Sequence, residues 1–181
     1  MMTHIANLLS FNAPETLWLW LFPVTYLIHI AEEFWGGDGF SEHLRKTRGL
    51  KLKKRDFFLM TGLSWLGMVV LIVFAEKQNF PQLMLVSLGT AFLANGLSHT
   101  ATALRKAKYN PGLVTAVLLW IPQGAITLAR LAGAMSSGRY LTGMFIGMVF
   151  QLTATLLSMV GGKVKVSQTG GEGGVLSGET L

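Results

Sequence analysis

The chain contains no cysteine, which excludes a disulfide framework, a thiolate metal site and a cysteine nucleophile. Charge is also scarce: only 13% of the 181 residues are Asp, Glu, Lys or Arg, roughly half the share in an ordinary soluble domain. With 51% hydrophobic residues and a mean hydropathy of +0.48, there is too little polar surface to cover a water-soluble globule. A soluble enzyme, a disordered chain and a nucleic-acid-binding domain are therefore not expected. No Walker loop, dinucleotide fingerprint or GxSxG elbow occurs. Residues 1–15 hold no Lys or Arg, and no small-residue cleavage site follows the first apolar run, so a retained membrane helix is expected rather than a signal peptide.

The apolar residues fall in blocks of about twenty, the length that crosses roughly 30 Å of hydrocarbon as a helix. Five such spans can be drawn: 16–35, 57–75, 82–104, 113–133 and 140–160. Alternating polarity over about ten residues, which β-barrel strands need, is missing. The expected fold is an all-α, polytopic transmembrane helical bundle of about five spans within residues 1–161. Residues 162–181, with Gly170-Gly171-Glu172-Gly173-Gly174, read as a flexible Gly-rich tail or an expression remnant.

The net charge of +6 lies between the apolar blocks. The loop 36–56 is strongly basic from Arg45 to Arg55, the next holds only Lys77, the third has Arg105, Lys106 and Lys108, and the fourth only Arg139. Lys163 and Lys165 follow the last span. Basic residues favour the cytoplasmic side. This alternation predicts a bacterial cytoplasmic-membrane protein with its N-terminus outside and its C-terminus in the cytoplasm. The run Arg45–Arg55 is expected to meet anionic membrane lipids, not nucleic acid. Gly143 and Gly147 form a small-xxx-small pair that would permit close helix contact, including an oligomer, although glycine is common in membrane helices.

Ionisable groups inside a span cost about 2.5–3.5 kcal/mol each, so the run His29-Ile-Ala-Glu32-Glu33 stands out. Residues three and four apart share a helix face, which places His29 beside both glutamates, with Thr25 and Tyr26 one turn earlier. In the third span, Asn95 and His99 share a face in the same way, followed by Thr102. Given the topology, His29 lies about 9 Å and His99 about 7–8 Å from the cytoplasmic ends of their spans. The two stripes can therefore meet if their helices are neighbours.

Two imidazoles and two carboxylates suit one divalent cation, zinc or iron. In that reading His29, Glu33 and His99 hold the metal, Glu32 is a further ligand or the general base, and Asn95 or Tyr26 supports a ligand or the substrate. A metal-free Glu/His acid–base site is the competing chemistry. A packing lock between the two spans is the plainer alternative, but it has no need of two adjacent glutamates.

His29-Ile-Ala-Glu32-Glu33, Asn95-Gly-Leu-Ser-His99 and Tyr109-Asn-Pro111-Gly112 together resemble the HxxEE, NxxxH and YxPG markers of the HXXEE-motif integral membrane proteins. The resemblance covers about residues 29–112 and implies a membrane protein without an assigned reaction. Pro111-Gly112 reads as a tight turn, with Tyr109 able to close the site from the cytoplasmic side. Arg130 is expected to snorkel to the interface, Gln123 to satisfy backbone groups freed by Pro122, and His4 and His43 to lie in solvent or at the interface. The expected activity is that of a membrane-embedded enzyme acting on a lipid or isoprenoid-like, apolar or amphipathic molecule. The alternatives are a proton- or cation-coupled transporter and a non-catalytic scaffold.

Overall fold

In a computed structural model of the chain, residues 15–37, 39–48, 53–78 and 80–163 are described. All regular structure among them is helical: α1 (Glu15–Trp35), α2 (Phe40–Arg48), α3 (Lys54–Lys77), α4 (Pro81–Lys106), α5 (Leu113–Leu131) and α6 (Ser137–Lys163). A helix stands at each of the five apolar stretches. Of these, α3 and α5 are long and apolar enough to cross a membrane by length and composition. α2 lies inside the stretch read from sequence as a loop. It is a short polar helix in which Arg45 pairs bidentately with Glu42 one turn back. Most of the Gly-rich tail, and His4, lie outside the described residues.

α4 is the central element and packs against α1, α3, α5 and α6. Its residues 85–92 are buried on every side. Pro81 opens it, where the missing N–H breaks no helical bond, and Arg105 and Lys106 close it, where cations complement the negative end of the helix. Small residues let α6 come close. A Cβ on Gly143 would press on Val86, and one on Gly147 would collide with the Ser87 carbonyl. The close contact anticipated for this pair is thus made to α4 within the chain, and that face of α6 is covered.

α5 is not a regular helix. Leu113–Thr115 is one α turn, Ala116–Trp120 is a π turn, and Ile121–Leu131 is α again. Pro122 explains the change: it has no N–H to donate one turn back, and its ring crowds the preceding carbonyls, which a wider turn accommodates. Trp120, the last residue of the π turn, lies in the core, 2% exposed.

The core is mainly apolar, yet large apolar side chains also cover the outside and several polar groups lie inside. Leu63, Leu66 and Val70 of α3 and Leu141, Phe145 and Leu152 of α6 face outward, while His29, Glu33, Thr115, Gln123 and Thr127 are buried.

Candidate functional site

Adjacent residues on a helix diverge by about 100°, so Glu32 and Glu33 of α1 face different neighbours. Glu33 shares its face with His29, one turn earlier, and points at α4. Its Oε1 lies 3.7 Å from His29 Nε2 and 3.6 Å from His99 Nε2. The two imidazole rings stand edge to face, 5.0 Å apart at 86°. Ligand atoms of His29, Glu33 and His99 all lie within 4.8 Å of one another. The polar stripes of α1 and α4 meet, and three of the four expected ligands come together.

The far side of each imidazole is held. His29 Nδ1 is 2.7 Å from the Thr115 hydroxyl, and its ring stacks on Trp120 at 3.7 Å and 25°. His99 Nδ1 is 2.8 Å from Asn110 Oδ1, and the Asn110 amide donates back to the His99 carbonyl at 2.9 Å. His29 Nε2 is buried and has no hydrogen-bond partner.

Glu32 stands apart from this group, although the sequence placed it among the ligands or as the general base. Its Oε1 accepts from the Tyr109 hydroxyl at 2.8 Å and from Val114 N at 2.9 Å. Its Oε2 accepts from Thr115 N at 2.7 Å and from the Thr115 hydroxyl at 2.5 Å. The first N–H groups of a helix have no intrahelical acceptor. A carboxylate from α1 supplies one to α5, at the end where negative charge is favoured.

The turn between α4 and α5 forms the wall of the site. Gly112 has φ +90°, in the left-handed region that disfavours a side chain. A Cβ there would lie 2.7 Å from His29 Cε1, 2.8 Å from His99 Cε1 and 3.1 Å from Glu33 Cγ. Glycine is required for both reasons, and the backbone covers the imidazoles directly. Tyr109, half exposed, reaches Glu32 rather than the cluster. Partial burial, then the hydrogen bond and charge of Glu32, push its hydroxyl pKa up to about 12, which keeps it a donor.

Asn95 is half-buried and no hydrogen bond joins its side chain to the cluster among the described residues. Asn110 does the work expected of it. Tyr26 lies one layer deeper, its ring 6.0 Å from Trp120 and 6.3 Å from Phe92. Gln123 does not serve the proline gap through its side chain: its Oε1 accepts from Thr25 at 2.8 Å and its buried Nε2 has no partner. Arg130 lies over the Trp18 ring, 5.4 Å from its centroid.

Helix spacing does not mark Asn110, Gly112, Thr115 or Trp120 as site residues. Asn110 and Gly112 sit inside the YxPG marker, so the marker was the available signal. Thr115 and Trp120 carry none, since a threonine and a tryptophan in an apolar stretch are ordinary.

No curated protein and no solved structure matches the chain. Residues 20–127 match a family model, and they span every residue of the cluster, its hydrogen-bond partners and the covering turn. The chain thus belongs to the family described as proteins of unknown function with an HXXEE motif.

Proposed function

We propose that the protein is a membrane-embedded, metal-dependent enzyme whose single divalent cation is held by His29 Nε2, Glu33 and His99 Nε2. The observation that carries this reading is the meeting of two imidazole nitrogens on one carboxylate oxygen, at 3.6 and 3.7 Å, from two different helices. Two nitrogens and one carboxylate are a ligand set for zinc or non-haem iron, and three protein ligands leave positions open for water or a substrate oxygen. A cation so bound polarises that oxygen or lowers the pKa of the water. The buried, unpartnered Nε2 of His29 supports the assignment, because a buried polar atom without a partner is costly.

In this proposal α1, α3, α4, α5 and α6 all cross the membrane. The basic residues after α1 and α4 put the N-terminus outside, and the C-terminal end of α1, with the site, near the cytoplasmic leaflet. The outward apolar faces of α3 and α6 support a lipid surrounding. A site at that depth favours a lipid or isoprenoid-like substrate. Glu32 anchors α5, so Glu33 is the carboxylate left for the chemistry.

Metal content of the purified full chain, after incubation with Zn²⁺ or Fe²⁺ and removal of excess, tests the proposal. One metal per chain is expected, with Glu33→Gln and His99→Ala both losing it while remaining folded. A parent that retains no metal under these conditions removes the proposal. Metal retained equally by both variants places it elsewhere and removes it as well.

A further inference from the structure

The Glu32 carboxylate lies too far into its own contacts to be a ligand, yet it is joined to the cluster through one hydroxyl. Thr115 Oγ1 has a single proton and three neighbours: Glu32 Oε2 at 2.5 Å, Gly112 O at 3.3 Å and His29 Nδ1 at 2.7 Å. Each Glu32 oxygen already accepts from one backbone N–H, so Glu32 acts as an acceptor throughout. If the Thr115 proton pointed at His29 Nδ1, lone pairs of the hydroxyl and the carboxylate would oppose each other at the shortest contact. The proton therefore goes to Glu32. A lone pair of Oγ1 is left for His29, and Nδ1 must carry the hydrogen. A neutral imidazole has only one N–H, so Nε2 is left as a bare lone pair.

The same logic runs independently at His99. The Asn110 amide donates to the His99 carbonyl at 2.9 Å, which fixes which end is the oxygen. That oxygen faces His99 Nδ1 at 2.8 Å, so this nitrogen too must donate. Two separate devices thus turn both imidazoles the same way, with both Nε2 lone pairs aimed at Glu33.

We infer that Glu32 is a positioning residue that acts through Thr115 to hold His29 in the Nδ1–H form, with its Nε2 open toward Glu33 and His99. For metal binding the inference rests on the proposal that Nε2 is a ligand. The tautomer itself follows from the shorter Thr115 and Glu32 contacts, since His29 Nε2 and Glu33 Oε1 stand 3.7 Å apart, beyond hydrogen-bond distance. Hydrogen-bond partners of metal-bound histidines generally fix tautomer and orientation, and their loss costs about 10–100-fold in metal affinity.

The test uses the full chain in lipid nanodiscs with ¹⁵N-labelled histidine, at a pH above neutrality. Signals are assigned from single His→Gln variants, and the metal-free and Zn²⁺-titrated samples are compared. Thr115→Val removes the hydroxyl while keeping the side-chain shape and the backbone N–H bond to Glu32. In the metal-free parent, His29 Nδ1 should bear its proton. In Thr115→Val the proton should move to Nε2, on the side of Glu33, and Zn²⁺ affinity should fall about 10–100-fold. Thr115→Ser should restore both, and His99 should keep its form in all three. Glu32→Ala offers a second route, since it removes both acceptor oxygens and frees the Thr115 proton for His29 Nδ1; His29 should again lose its Nδ1 proton. A parent whose His29 carries the proton on Nε2, or a Thr115→Val protein with tautomer or Zn²⁺ affinity unchanged, overturns the inference. A parent that shows the Nδ1–H form but binds no Zn²⁺ removes the metal proposal and leaves the Thr115 link standing.

Discussion

α1 and α5 meet through a threonine at each end of their contact, and the two ends are built to different purposes. At one end Trp18 Nε1 donates to Thr127 Oγ1 at 2.7 Å, and Thr127 donates to the Gln123 carbonyl at 2.7 Å. The chain of donors stops there, with those polar atoms met. At the other end Thr115 sits between Glu32 and His29, and the chain runs on to a nitrogen with no partner. Trp120 Nε1 and Gln123 Nε2 are also buried without a partner, but an indole N–H and an amide nitrogen do not ligate a cation, whereas an imidazole Nε2 does. The Trp18 end is a lock between helices, and the His29 end is the same geometry extended into an unfinished ligand set.

The largest effect expected from breaking this contrast is at Gly112. Gly112→Ala forces a side chain into the left-handed region and onto both imidazoles. It should abolish metal uptake and cost about 1–3 kcal/mol of stability. Metal content and thermal unfolding measure both. The lock should respond in the opposite sense. Trp18→Phe removes the donor to Thr127 and should lower stability by about 1 kcal/mol, while metal affinity stays within twofold of the parent. A lost metal site in that variant would show that the two ends are not separate.

Tyr109→Phe removes one of four donors to Glu32 and leaves the rest, so a loss of about 0.5–1.5 kcal/mol is expected. Its pH dependence has a definite sign. The Tyr109 pKa is raised in the fold from 10.0 to about 12, so its contribution is full below pH 10 and is lost as pH rises toward 12. The stability gap between parent and Tyr109→Phe should therefore narrow above pH 10 and hold steady from there down to neutral pH. The smallest effect is expected from Asn95→Ala. Without a bond to the cluster, Asn95 should leave metal affinity unchanged in the same titration.

The helical architecture and the meeting of His29, Glu33 and His99 were legible in the sequence. Both rest on quantities that sequence carries directly: block length, and the spacing of three or four that puts residues on one face. The split between Glu32 and Glu33 was not legible. Both are one turn from His29, and only the position of the α5 N-terminus decides which of them is consumed as an anchor. Helix spacing points to Asn95 and is silent on Asn110 for a related reason. Asn95 is one turn from His99 along the same helix, whereas Asn110 reaches it through a turn whose path depends on Gly112. Thr115 and Trp120 depend on the π turn before Pro122, and side-chain periodicity assumes a regular helix. The GxxxG pair was visible as a close contact, but its partner, α4 of the same chain, required the packing order.

The most direct measurement of the central claim is X-ray absorption at the zinc edge on the purified, Zn²⁺-loaded full chain. The account predicts one zinc per chain with two imidazole nitrogens at about 2.0–2.1 Å and carboxylate or water oxygens at about 2.0–2.2 Å. The imidazole scattering should be lost in a protein carrying both His29→Gln and His99→Gln. A zinc surrounded by oxygen alone, or one whose spectrum does not change in that double variant, would contradict it.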